Sequence, residues 1–457
     1  MNRKKLITCL TGMTLLTGTL TGCAAGGGKS SEPITLTVWT YYSGEQLEAF
    51  NSLVNSFNDT VGKEKGIIVE SSSQGSVNDL ESNVMDAAQE KVGASDMPNI
   101  FSAYADTAYK LDEMGQVVDL SEYLTDKEKD EYIDAYLKEG DFSGDGSIKI
   151  FPAAKSTELL FLNKTIFDRF AADTGASEKD LLHFEPLFHL CSQYYDWSGG
   201  LEMFQINDFY HYFLVNIAGR GGEFVQDGTL DCSSKEFEQV YFPMARAAIY
   251  GGLCTGDGYA SDRWKTAEVI SNIGSTAGML YLRDYVTYQD NTTEEIETAV
   301  YPYPSFSDAS PAVIQRGAGL FAMKSTDERK NEAAAVFGKW ITEQKHNLDF
   351  VTASGYLPVT QNAFSTLFSD LGMVKGEKFR MLYGAVDQMY GSYTFYPLPL
   401  YDGSGETQSR FEETIKSVLS IAHRDYISRI EQGEDPETVM SELLDASLSE
   451  IRRITER

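Results

Sequence analysis

The stretch WTYYSG (39–44) brings Trp39, Tyr41, Tyr42 and Ser43 close together in the chain. An indole and two phenols offer flat apolar faces with polar edges, which suit stacking on a sugar ring while the hydroxyl or indole N–H hydrogen-bonds. Tyr104 and Asp106, in SAYADTAY (102–109), repeat the pattern with a carboxylate, and Gln74 adds an amide. With 26 Tyr and 4 Trp in the chain, most aromatics must fill a core, so position has to single out the binding ones. A carboxylate such as Asp106 can hydrogen-bond a sugar hydroxyl for about 1.5 to 3 kcal/mol, or serve as a salt bridge between two halves of the molecule.

Catalytic signatures are sparse. The nearest approach to a nucleophile elbow, GSTAG (274–278), carries Thr276 at its centre and leads into an expected strand, where a helix should follow. RGAGLFA (316–322) has Gly317, Gly319 and Ala322 in a dinucleotide-like spacing, but the glycines precede a strand when they should follow one. His183 and His189 do not share a helix face, which argues against a metal site. Asp141, Ser143, Asp145 and Gly146 imitate the start of a calcium loop, yet Pro152 stands where a bidentate Glu is needed, so a turn is expected. No catalytic residue, metal or cofactor is assigned. A carboxylate pair for glycoside hydrolysis leaves no local motif, so a glycan-active enzyme of the glycoside hydrolase type is the alternative class.

The elements that position these residues alternate. ITLTVWT (34–40) sets Ile34, Leu36 and Val38 against threonines and predicts a strand. A helix follows, with Ser43 and Gln46 fitting a capping box and Leu47, Phe50, Val54, Phe57 and Val61 along one face. GIIVES (66–71) is the next strand, Val77 to Val92 a second helix, and MPNIFSA (97–103) a third strand. Strand, helix, strand, helix, strand means parallel pairing with right-handed crossovers. Ligands of such sheets sit beyond the carboxyl ends of the strands, where Trp39 to Ser43, Gln74, Tyr104 and Asp106 are expected to face a cleft.

Farther along, SGDGSIKIFPAA (143–154) predicts a turn running into a strand, and LLFLNKTIFDRF (159–170) a strand and then a helix. Residues 176–300 read as mainly helical, with AGMLYL (277–282) as a strand. RGAGLFAM (316–323) is a strand and 325–344 a helix whose Ser325 and Glu328 again fit a capping box. A last helix opens at Asp435 and Pro436 and buries Val439, Met440, Leu443, Leu444, Leu448 and Ile451.

The amino-terminal segment sets the compartment. Arg3, Lys4 and Lys5 precede an apolar run diluted by Thr and Gly, which predicts a secretory signal peptide over 1–22 and no permanent membrane span. Gly- and Ser-rich residues after Cys23 predict a tether over 23–33. The formal charge of -30 becomes -33 without the signal peptide's three basic residues, a surface that repels nucleic acid and anionic lipid headgroups. Cys191, Cys232 and Cys254 allow at most one disulfide.

Several segments together resemble one family. Leu20-Thr21-Gly22-Cys23 resembles the bacterial lipobox, in which the cysteine carries a diacylglyceryl group. ITLTVWTYYSG, DEMGQVVDL (112–120), IKIFPAAKSTELLFLNKTIFDR, STAGMLYLRDY (275–285), VIQRGAGLFAMKSTDERKNEAAAVFGKWITE and GYLPVTQNAF (355–364) follow in the order and spacing of the family 1 extracellular solute-binding proteins of ABC importers, the maltose and multiple-sugar type. DLLHFEPLFHLCSQYYDWSGG departs from the family's pattern in the 176–215 region.

The resemblance implies an α/β, two-lobed periplasmic-binding-protein-like fold with a multi-crossing hinge near 153–157, 301–304 and 342–346. The implied lobes are 34–153 with 304–342, and 157–301 with 346–457. It further implies Ser156, Thr157 and Glu158 at the first hinge, and Tyr281, Arg283 and Tyr285 in a stacking segment. Glu158 and Arg283 share the two roles given above to Asp106. The implied activity is capture of a small solute, a carbohydrate or another solute, by a monomer anchored through Cys23 at the outer face of the cell membrane, with delivery to ABC permease subunits.

Overall fold

The computed structural model describes residues 32–455. The signal peptide, Cys23 and most of the tether lie outside the described residues.

Alternation of Ile34, Leu36 and Val38 with threonine produces β1 (Ile34–Thr40), which lies parallel to β2 (Ile67–Ser73) and β3 (Ile100–Ala103). The β1–β2 register runs from Ile34 opposite Ile67 to Thr40 opposite Ser73. Between them α1 (Gly44–Phe57) buries Phe50, Leu53, Val54 and Phe57, and α2 (Val77–Ala88) buries Leu80 and Val84. The helix expected to reach Val92 therefore ends at Ala88. From β3 the chain enters α3 (Ala105–Glu113).

Two more strands complete this sheet: β4 (Phe151–Pro152) and, from much later in the chain, β10 (Gly319–Ala322). The order is β2-β1-β3-β10-β4, with β10 antiparallel to both neighbours.

A second sheet forms around β5 (Glu158–Asn163), whose six residues are all buried, the apolar LLFL run flanked by Glu158 and Asn163. Its order is β9-β5-β8-β6-β7, with β6 (Phe204–Ile206), β7 (Leu253–Cys254), β8 (Ser271–Ser275) and β9 (Thr298–Tyr301). The helices packed on it include α4 (Lys164–Thr174), α5 (Phe184–Ser198), α6 (Phe209–Gly219) and α7 (Lys235–Tyr250). The 176–300 region is thus less helical than expected, and it supplies four of this sheet's five strands. AGMLYL is not a strand. Residues Thr276–Tyr281 form a 3-10 helix because the Ser275 hydroxyl accepts from Ala277 N and turns the chain at the end of β8.

The longer helices of the later chain are α8 (Glu328–Thr342), α9 (Gln344–Ser354), α10 (Gln361–Ser369), α11 (Glu377–Met389), α12 (Ser404–Glu431) and α13 (Pro436–Thr455). α13 buries Val439, Met440, Leu443, Leu448 and Ile451 as its pattern required, with Leu444 partly buried against the core.

Neither expected capping box forms. Ser43 Oγ turns to the Tyr281 hydroxyl at 3.2 Å, Gln46 Nε2 donates to Ser354 O at 3.3 Å, and α8 is capped by Asp327 instead of Ser325. Cys191, Cys232 and Cys254 are buried and form no disulfide with one another, and burial pushes Cys254 up to about 12. Asp141 accepts from the amides of Asp145 and Gly146, closing the expected turn. No helix of the described residues is long and apolar enough to cross a membrane.

Candidate functional site between the two sheets

Two chain segments cross between the sheets side by side, and a third runs along them. Ser156 and Arg316 exchange both backbone hydrogen bonds at 2.8 Å, and Lys155 pairs in the same way with Leu357. Thr157 Oγ1 donates to Ile314 O at 2.8 Å, and its carbonyl accepts from Thr276 N at 2.9 Å. Gly317 makes this approach possible. Its φ is +112°, and a Cβ there would stand 2.5 Å from Lys155 Cα.

Glu158 opens β5 directly beyond this junction and is 2 % exposed. Its Oε1 accepts from Arg316 Nη1 and from His211 Nδ1, each at 3.0 Å. His211 also faces Asp208 Oδ2 at 3.2 Å, and its Nε2 is buried without a hydrogen-bond partner among the described residues. Gln408 Nε2 donates to Asp208, and Tyr210 N donates to Glu412 Oε1. Burial works against the charge of Asp208, but His211 and Arg316 outweigh it and hold the carboxyl below its ordinary value. Burial and the Asp208 charge push Glu412 well above its own. Burial also disfavours the Arg316 cation, yet Tyr104, Glu158 and Asp208 together hold its pKa above the ordinary value.

Aromatic rings stand over this charged floor. The Arg316 guanidinium lies 5.8 Å from the Tyr104 ring centre, a cation–π distance. The Tyr104 and Tyr41 rings stack at 6.5 Å, and the Tyr41 and Tyr356 hydroxyls bond at 3.0 Å. Burial raises both of those phenols well above their ordinary pKa, which keeps them neutral donors.

The sheets also touch at two places nearer solvent. One is the Ser43–Tyr281 hydrogen bond. In the other, Lys110 on α3 pairs with Glu406 on α12 at 2.8 Å, beside Asp106, whose Oδ2 lies 2.8 Å from where a Gly405 Cβ would be. Burial raises the pKa of Asp106.

The expected residues therefore divide. Tyr41, Tyr104, Ser156, Thr157 and Glu158 meet at the floor, while Ser43, Asp106 and Tyr281 meet partners from the other sheet's side. Trp39 and Tyr42, expected at the cleft, are instead core residues at 9 % and 1 % exposure, because helices cover both faces of β1 and leave neither side of its end open. Gln74 bonds Ser72 and Asn83 beside the end of β2. Arg283 and Tyr285 are exposed; the Arg283 carbonyl accepts from Trp264 Nε1, and Tyr285 lies opposite Glu295 in a two-stranded ribbon. Sequence reasoning missed Arg316, His211, Asp208 and Tyr356. The one local signal was a charge set against an apolar strand, in Glu158 before LLFL and Arg316 before GAGLFA.

Residues 52–370 match the family model described as bacterial extracellular solute-binding protein. No curated protein matches the chain. Among solved structures, the cyclic alpha-maltosyl-1,6-maltose binding protein of Arthrobacter globiformis is 17 % identical at a TM-score of 0.66, covering 93 % of this chain and 99 % of that one. UgpB of Mycobacterium tuberculosis, in complex with glycerophosphocholine, is 18 % identical at 0.66, with the same coverage of 93 % and 99 %. The ABC substrate-binding protein Lmo0181 of Listeria monocytogenes, in complex with cycloalternan, is 14 % identical at 0.65, covering 92 % and 99 %. At these identities the likeness establishes the shared fold.

Proposed function

We propose, for a chain that belongs to the bacterial extracellular solute-binding proteins, that it captures a sugar or oligosaccharide between its two sheets, releases it unaltered, and passes it to an ABC permease. The observation that carries this reading is the floor itself, where stacked Tyr41 and Tyr104 stand beside the Arg316–Glu158 pair at the meeting of three segments. Rings provide the stacking faces, and charged donors and acceptors in a sheltered cleft provide direction. The cyclic alpha-maltosyl-1,6-maltose and cycloalternan proteins of the same fold agree with a carbohydrate. One observation favours a second reading: UgpB, equally similar, holds glycerophosphocholine, and a guanidinium also stands at this floor.

The lobes we assign are 34–154 with 318–369, and 157–314 with 371–457. This division keeps 303–314 with the second sheet, where Phe306 meets Phe184 and Ser305 bridges His183, and keeps α9 with the first, where Phe350 meets Tyr42. The second and third crossings then fall later than the resemblance implied, near 315–317 and 370. Hinge closure about these crossings would bring Tyr281, Arg283 and Tyr285 toward the ligand's outer end.

We further assign Cys23 as a lipid-bearing mature N-terminus. About 0.8 kcal/mol per buried methylene makes two acyl chains a stable anchor. The anchored protein acts as a monomer at the outer face of the membrane. Cys23→Ala should appear in the medium or remain unprocessed, whereas processed mutant retained on membranes would refute the anchor.

A thermal-shift screen over mono-, di- and oligosaccharides tests the solute. A ligand at 100 times its Kd stabilises by about 2.7 kcal/mol, which gives a clear rise in Tm. Product analysis of the same mixtures should show the ligand intact, and X-ray scattering should show a more compact molecule with it. Reproducible hydrolysis, lost on mutating a cleft carboxylate, would establish the enzyme alternative instead.

A further inference from the structure

A guanidinium beside aromatic rings in a sheltered cleft is well suited to a carboxylate or phosphate, which it grips through paired N–H donors. Arg316 stands beside the Tyr104 ring, and with 19 % of its side chain exposed, part of it remains reachable from solvent. One of its donors is already taken. Glu158 holds Nη1 at 3.0 Å, and His211 holds the same carboxylate oxygen at 3.0 Å, so Glu158 cannot swing aside without giving up a second buried partner. Asp208 adds another negative charge within the field of Arg316. An incoming anion would therefore meet two sheltered carboxylates around one cation, at short range and with little water to screen them.

We propose that Glu158 is a specificity-determining residue of this cleft: it caps the anion-binding edge of Arg316, so that the remaining N–H donors serve uncharged hydroxyls and phosphate or carboxylate groups are turned away. The inference rests on the solute-binding reading and decides between its two ligand classes. It favours the uncharged polyol over the phosphodiester. Glu158 acts here on ligand through Arg316 and is not itself required to touch it.

The test uses inorganic phosphate as the probe, titrated calorimetrically into wild type, Glu158→Gln and Glu158→Gln/Arg316→Gln at neutral pH and matched ionic strength. Glutamine keeps an acceptor for Arg316 and His211 while removing the charge. Wild type should show no saturable uptake in the millimolar range. Glu158→Gln should gain about 10- to 100-fold in phosphate affinity, the range of one charge-assisted contact, and the double variant should lose the gain. Equal phosphate affinity in wild type and Glu158→Gln would overturn the proposal, as would a gain that survives removal of Arg316. Should Glu158→Gln fail to fold, Glu158→Asp draws the carboxylate back by one methylene and should give a smaller gain; a folded aspartate variant with none overturns the proposal. An uncharged saccharide panel titrated alongside separates the two claims. Wild type that binds a saccharide while no variant gains phosphate defeats this inference alone. Wild type that binds no saccharide while Glu158→Gln gains phosphate defeats the carbohydrate reading and leaves the cap standing.

Discussion

The floor and the rim of the cleft were both expected to contact ligand, and they are physical opposites. At the floor Glu158 is 2 % exposed and carries two charge-assisted bonds, whereas at the rim Tyr281 and Tyr285 are 44 % and 47 % exposed. A buried charge must be paired or its desolvation destabilises the fold by several kcal/mol, while an exposed one is screened and costs almost nothing to move. Residues at the floor are therefore held in place before ligand arrives, and those at the rim are free to adjust to it. The two regions should differ in stability as well as in affinity.

The sharpest way to break the comparison is Glu158→Ala. It leaves Arg316 and His211 without their shared acceptor, so unfolding in urea should show a loss of about 3 to 5 kcal/mol. A loss below about 1 kcal/mol would mean that water already reaches the floor.

Gly317→Ala comes next. A Cβ there collides with the Lys155 backbone at a positive φ, so a cost of about 1 to 3 kcal/mol in thermal unfolding is expected. An unchanged Tm would show that the crossings can spread apart without penalty.

Affinity should follow the same gradient. With any saccharide identified by the screen, Tyr104→Ala should weaken binding by about 30-fold or more, and Tyr285→Ala by about fivefold or less, because central desolvated anchors dominate and rim contacts add little. Isothermal titration of both variants settles the order. A reversed ranking would move the centre of the site to the rim.

The smallest effect belongs to the packing of α2 against α3, where Glu81 on α2 faces Asp106, Thr107 and Lys110 on α3 and is intermediate in exposure. Burial, and then the Asp106 charge, push Glu81 from 4.5 to about 7, against a bond from Thr107 and the charge of Lys110. The folded state thus holds this proton more tightly than the unfolded chain does. The resulting stability is complete below pH 4.5 and fades as pH rises through about 7. The Tm advantage of wild type over Glu81→Gln should shrink across that window. A difference independent of pH would contradict the assigned burial.

Elements whose stabilisation is local were legible in the chain. β1, β2, β3, α1 and α13 follow from period-2 and period-3.6 patterns that each segment carries within itself. The short run AGMLYL was not legible, because its six residues fit strand and 3-10 helix alike until the Ser275 cap selects the turn. Capping boxes misled for a related reason. Ser43 and Gln46 match the motif, but Tyr281 and Ser354, far away in sequence, offered them competing partners.

By itself the sequence determined the α/β alternation, the acidic surface, the apolar LLFL run of β5 and the hydroxyl and aromatic supply at strand ends, since each depends on residue type and near-neighbour spacing. Tertiary structure alone decided which of these residues became a site. Trp39 and Tyr42 look identical in kind to Tyr41, yet helices covering both faces of the sheet bury the first two and leave the third bonded to Tyr356. Glu158 and Arg316 stand 158 positions apart, and no local pattern links them. Their pairing exists because adjacent crossing segments bring two charges into a place with too little water to stabilise either one alone.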